Sequence, residues 1–198
     1  LLPSALAGVL RRSRPVRRLA TLERLAGLAS HDIHARVWES GLEETCERGD
    51  FLAEEAAARI AAALERPLTL EQLAAAWALA FEPDREVLEI ARGREARGAV
   101  GLLTNNGPLL LHALPVALPE ITRGFDPLLF SCRLRALKPT PALFAAVVRE
   151  TGRTPDQILL VDDTAGNVES ARAAGLRAVL YTDPAALRRE LAELMGDA

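Results

Sequence analysis

Apolar residues in this chain fall into two patterns: short unbroken runs, and longer stretches with apolar positions at helical spacing. The runs are Leu1–Leu10, Val100–Thr104, Leu128–Ser131, Ile158–Val161 and Ala178–Tyr181, each the length of a buried strand. The first contains Gly8 and gives way to Arg11, Arg12, Ser13, Arg14 and Pro15, which read as a loop. From about Val16 to Ala80 the pattern is helical and rich in alanine and leucine, which predicts a bundle with no strands. One helix is predicted over Phe51–Leu64 after Gly49 and Asp50. Another runs over Thr69–Phe81, where Thr69 and Gln72 form a capping box. Pro83 and Asp84 open a helix through about Arg94, and further helices are predicted over Leu109–Leu118, over Pro141–Thr151, over Asn167–Ala174 closed by Gly175, and from about Pro184. Strands alternating with helices imply an α/β fold with a mostly parallel, Rossmann-like three-layer core. The core takes residues 1–15 and 84–198, and residues 16–83 are a helical insert. Ligands of such sheets bind beyond the carboxyl ends of the strands, where Thr104, Lys138 and Asp163 would sit.

Composition narrows the classes. A chain of 198 residues with 49% hydrophobic and 26% charged residues, and no run of eighteen uncharged apolar residues, reads as globular, with no membrane association expected. A net charge of -3 argues against general nucleic-acid binding. Cys46 and Cys132 match neither a disulfide framework nor a zinc spacing, so they read as ordinary thiols of a reducing compartment, with the cytoplasm as the expected location and no signal peptide at the start. Of the 24 basic residues only Lys138 is lysine, a compact point charge where the rest of the sequence uses arginine's planar fork.

The strongest chemical signal is Ile158–Val168, four apolar residues followed by Asp162 and Asp163. Paired carboxylates at a strand tip suit a hard cation such as magnesium, and the bland alternative is that one acid caps the next helix. Lys138, in Leu137-Lys138-Pro139-Thr140-Pro141, would keep those acids ionised and offset phosphoryl charge. Thr104-Asn105-Asn106-Gly107 offers a hydroxyl, side-chain amides and backbone N–H groups to an oxyanion, although Asn-Asn-Gly is also a common turn.

Taken in order, Thr104, Lys138 and Asp162-Asp163 resemble the motifs of the haloacid dehalogenase superfamily. The helical insert resembles its cap domain, and Glu47–Phe51 with Glu54 and Glu55 is similar to cap segments of its small phosphatases and dehalogenases. The resemblance implies a Mg2+-dependent hydrolase acting on a small phosphorylated or anionic ligand, with Thr104, Asn105, Asn106 and Lys138 binding substrate and Asp162 and Asp163 binding metal. It also implies an aspartate nucleophile on the first strand. Aligned on Gly8-Val9-Leu10, that position is Ala5 and the acid/base position is Ala7, and no acid occurs before Glu23. Two readings stay open. The chain is a degenerate hydrolase that has become a binding protein, or it belongs to an active lineage of phosphomonoesterases, less readily of dehalogenases, either with alanines introduced deliberately at the nucleophile strand or using water activated by a metal or by cap residues such as His31, Asp32 or His34. The cluster Arg11, Arg12, Arg14, Arg17 and Arg18 could draw an anion to the cap, and its bland reading is a solvated linker and helix start. Apolar cap surface leaves room for a homodimer.

Overall fold

A computed structural model describes residues 4–6, 11–13, 15–93 and 99–195. The strands are β1 (Ser4–Leu6), β2 (Arg11–Ser13), β3 (Phe81–Pro83), β4 (Val100–Thr104), β5 (Leu128–Phe130), β6 (Leu159–Asp162) and β7 (Arg177–Leu180). Five of them form one sheet in the order β5-β4-β1-β6-β7, parallel at every described pairing. The all-buried patterns of β4 and β6 explain why their sequences do not alternate: helices cover both faces. On one face lie α6 (Arg85–Arg92), α7 (Pro108–Ala117) and α12 (Pro184–Met195), through Val87, Leu110, Leu114, Leu187 and Leu191. The other carries α10 (Pro141–Thr151) and α11 (Ala165–Ala173), through Leu143, Phe144, Val147, Val168 and Ala171. This is the expected Rossmann-like core.

Between β2 and β3 the chain forms the helical cap: α1 (Pro15–Ala26), α2 (Ser30–His34) running into a π-helical stretch at Ala35–Glu39, α3 (Leu42–Glu47), α4 (Ala53–Ala63) and α5 (Leu70–Ala78). The Thr69–Gln72 capping box forms reciprocally, at 2.9 and 3.2 Å. The cap has its own core around Leu22, Ile33, Ile60, Leu64, Leu73 and Trp77, and Leu109 of α7 enters it from below. The short helices α8 (Pro119–Gly124) and α9 (Ser131–Leu134) complete the chain.

One expectation fails at the cap's base. Arg11–Ser13 is not a loop: it pairs antiparallel with Phe81–Pro83, so the chain leaves and re-enters the cap through a two-stranded ribbon. Pro15, read as loop, instead starts α1, a first-turn position where proline's missing N–H costs nothing.

Candidate active site

The carboxyl ends of β4 and β6 bring together Thr104, Asn105, Lys138 and Asp162, as the motif order implied. Asp162 closes β6 and is wholly buried. One of its carboxylate oxygens accepts from Lys138 Nζ at 2.7 Å, and the other from the Thr164 backbone N–H at 3.0 Å and Asn167 Nδ2 at 2.9 Å. Lys138 is also buried, its side chain 6% exposed against 1% for Asp162, and its ammonium lies 3.5 Å from the Leu103 carbonyl. A buried pair of this kind survives desolvation only when its remaining hydrogen-bonding capacity is met, and here both acid oxygens are.

The two acids therefore divide rather than act as a pair. Asp162 faces inward with both oxygens taken, while Asp163 is exposed, its carboxylate accepting only a 3.3 Å bond from the adjacent Thr164 hydroxyl among those described. Magnesium asks for oxygen ligands in near-octahedral geometry. Among the described residues no group of three or more His, Cys, Asp or Glu is arranged to hold a metal ion; of the two acids, Asp163 is the one with an exposed side chain.

The asparagines tie the turn to its surroundings. Asn105 donates its side-chain amide to the Lys138 carbonyl at 3.0 Å and accepts from the Lys138 N–H at 2.9 Å, a reciprocal clasp tying the β4 loop to the loop before α10. The Asn106 side chain donates to Thr104 Oγ1 and is buried. These bonds take one of the two N–H groups of each amide, and the Asn105 oxygen as well, which orients both side chains within the protein.

β1 occupies the sheet's centre, but residue 5 does not stand at its tip. Ala5 pairs with Leu160 and Gly101, and Leu6 with Val161, so Ala5 lies two residues back from Asp162 along the strands, about 7 Å at strand pitch. Ala7, the expected acid/base position, lies outside the described residues, as does Arg14.

The cap's histidines do not join this cluster. His31 and His34 are exposed and engage local partners, Asp32 at 3.3 Å and Glu39 at 3.2 Å, with His34 also stacked on Trp38. Nor is the basic cluster simply a solvated linker. Arg17 pairs at the surface with Glu82 of β3, whereas Arg18 enters the cap, lies over the Trp38 and Trp77 rings and pairs with Glu43 at 3.1 Å. Burial raises the Glu43 carboxyl above its usual range against the pull of Arg18, and its Oε2 is buried without a partner among the described residues. Sequence spacing hides this pair because both residues sit in stretches that read as solvent-facing. Burial pushes the Cys46 thiol up to about 12 and Cys132 to about 11, which keeps both in the inert class.

A family model for haloacid dehalogenase-like hydrolases matches residues 13–175. The chain belongs to this family. Within the family, it is 26% identical over 179 residues to D-ribitol-5-phosphate phosphatase of Bacteroides thetaiotaomicron, covering 86% of each chain. It is also 26% identical over 117 residues to bifunctional epoxide hydrolase 2 of Rattus norvegicus, a match spanning 57% of this chain and only 21% of that protein. A haloacid dehalogenase-family enzyme of Bacteroides thetaiotaomicron, solved with magnesium and inorganic phosphate, superposes with a TM-score of 0.78 at 19% identity, covering 92% of this chain and 95% of that one. An aspartate-to-alanine variant of that enzyme, also in complex with magnesium and inorganic phosphate, superposes with a TM-score of 0.75 at 18% identity, covering 92% and 95%. These haloacid dehalogenase folds share the cap as well as the core. The family match begins at Ser13, beyond the strand that carries Ala5.

Proposed function

We propose that this family member binds a small phosphorylated or anionic ligand at the tips of β4 and β6 and is impaired in cleaving it. One observation carries the reading: beside an assembled Thr104–Lys138–Asp162 cluster, the first 22 residues hold no Asp or Glu. Whatever register β1 adopts, it brings no carboxylate. Covalent hydrolysis by an acid nucleophile needs an ionised oxygen in line with the reacting phosphorus, and a methyl group supplies none. Anion binding makes no such demand, since an ammonium fixed by a buried acid and a turn of N–H donors attract phosphate without attacking it. The aspartate-to-alanine variant of the Bacteroides enzyme, crystallised with magnesium and phosphate, supports the idea that this fold can hold a phosphate with an alanine in place of one of its acids. Asp163 would then contribute weakly to a cation accompanying the anion, and a reducing, cytoplasmic setting suits the two free thiols.

The rival is an active phosphomonoesterase with water as the nucleophile, favoured by the phosphatase relative that spans 86% of the chain. Calorimetric titration with inorganic phosphate, with and without magnesium, tests the binding half. Phosphate should bind in both cases, more tightly with the metal, and Lys138→Met should weaken binding by about tenfold or more, as loss of one charge-assisted hydrogen bond requires. Absence of any phosphate binding would sink the reading.

A further inference from the structure

Beneath the cap, one hydroxyl touches both domains. Ser131 begins α9 and is 0% exposed. Its Oγ donates to the Glu47 carbonyl at the end of α3 in the cap, 2.7 Å away, and accepts the Asn106 backbone N–H at 3.0 Å; the Asn106 carbonyl is 3.3 Å off. A serine has one hydrogen to give. Given to the cap, it leaves the oxygen's lone pairs directed at Asn106, within the turn that carries Thr104.

The cap segment that Ser131 meets has little freedom. Gly49 closes α3 at φ +80°, with its N–H bonded to the Cys46 carbonyl and the Asp50 N–H to the Thr45 carbonyl, the double bond of a Schellman ending. A Cβ at Gly49 would come within 1.9 Å of the Cys132 carbonyl oxygen, and one at Gly107 within 3.2 Å of the Cys46 Cβ. Backbone thus lies on backbone at this joint, and a small lift of the cap would take the Glu47 carbonyl out of reach of Ser131.

We propose that Ser131 is a positioning residue that couples cap docking to the geometry of the anion-binding turn. The coupling rests on the phosphate-site reading above. With the cap down, the hydroxyl is oriented by Glu47 and steadies the Asn106 N–H, and through it the Asn106–Thr104 side-chain bond. With the cap lifted, the hydrogen turns to the Asn106 carbonyl and the turn loosens. Linkage makes the effect reciprocal: phosphate at the turn holds the cap down by the factor with which the docked cap tightens phosphate.

The test is residue-resolved amide exchange on the full chain, with and without inorganic phosphate. In the wild type, phosphate should slow exchange at Arg48, Gly49 and Asp50 of the cap joint as well as at the turn. In Ser131→Ala the Asn106 amide should exchange faster, phosphate should bind about tenfold more weakly, and phosphate should no longer slow the cap joint. Gly49→Ala places a methyl 1.9 Å from the Cys132 carbonyl oxygen, which should part the joint while leaving residues 104–107 unaltered in sequence, and should reproduce the faster Asn106 exchange and the weaker binding. Arg188→Ala, which removes the surface pair with Glu86 between α12 and α6, should do neither. The proposal is overturned if phosphate slows the turn but leaves 48–50 unchanged in the wild type, or if Gly49→Ala frees the cap while Asn106 exchange stays as it was. Should the wild type bind no phosphate, the site reading fails, and Asn106 exchange in Ser131→Ala and Gly49→Ala still decides the coupling: faster in both supports it, unchanged in both refutes it.

Discussion

Among the described residues the core and the cap each bury an ion pair, and the two are built differently. In the core, Lys138 and Asp162 meet at 2.7 Å with both acid oxygens satisfied by Lys138, Thr164 and Asn167. In the cap, Arg18 and Glu43 meet at 3.1 Å, and both Arg18 and Trp77 bind the same oxygen, leaving Oε2 orphaned. Burial disfavours the charge on Glu43, and its network leaves one oxygen unmet, whereas the core network gives each Asp162 oxygen a donor. The core pair is wired to two loops at the strand tips and fixes an ammonium at the proposed anion site. The cap pair is joined to aromatic rings, so its role is to set how helices α1, α3 and α5 pack.

Removing one partner of each pair separates these roles. Lys138→Ala strands a buried carboxylate and should cost about 3–5 kcal/mol of stability in urea denaturation. Combining it with Asp162→Ala should cost far less than the sum of the single changes; additive losses would show that the pair is not a unit. In the cap, the Glu43 carboxyl sits above its usual value in the folded chain, so the native state holds the proton more tightly than the unfolded one. The stability this gives is fully present below about 4.5, the unfolded value, and is lost as pH rises through the folded one. Glu43→Gln cannot titrate, so it should lose less stability than the wild type as pH rises through that window; parallel melting curves would refute the orphaned-acid account. Thr69→Ala removes half of the α5 capping box, away from either pair, and should cost about 1 kcal/mol. The smallest effect is kinetic: at pH 8 in native protein, iodoacetamide should label Cys132 slowly and Cys46 more slowly still, following their raised thiols, with fast labelling of both only on unfolding.

Local signals carried the elements well. Unbroken apolar runs gave β4, β6 and β7, the Thr69–Gln72 box gave the start of α5, Gly175 gave the end of α11, and the order of Thr104, Lys138 and Asp162 gave the cluster. What sequence hid was long-range. The β2–β3 ribbon joins residues some seventy positions apart, one partner being arginine-rich and unlike a strand. Ser131 meets Glu47 across 84 residues, and Asn105 clasps Lys138 across 33. Arg18 and Glu43 look like surface charges until helix packing closes over them. Asp162 and Asp163 look equivalent in sequence, but strand alternation sends one inward and the other to solvent.

The most direct test of the central claim is phosphomonoester turnover with magnesium, measured on the chain as it stands and on variants carrying Ala5→Asp, Ala7→Asp and both. The account predicts no turnover above background for the chain itself and a gain when the first strand recovers an acid. Robust turnover by the unaltered chain, abolished by Asp163→Ala, would contradict it.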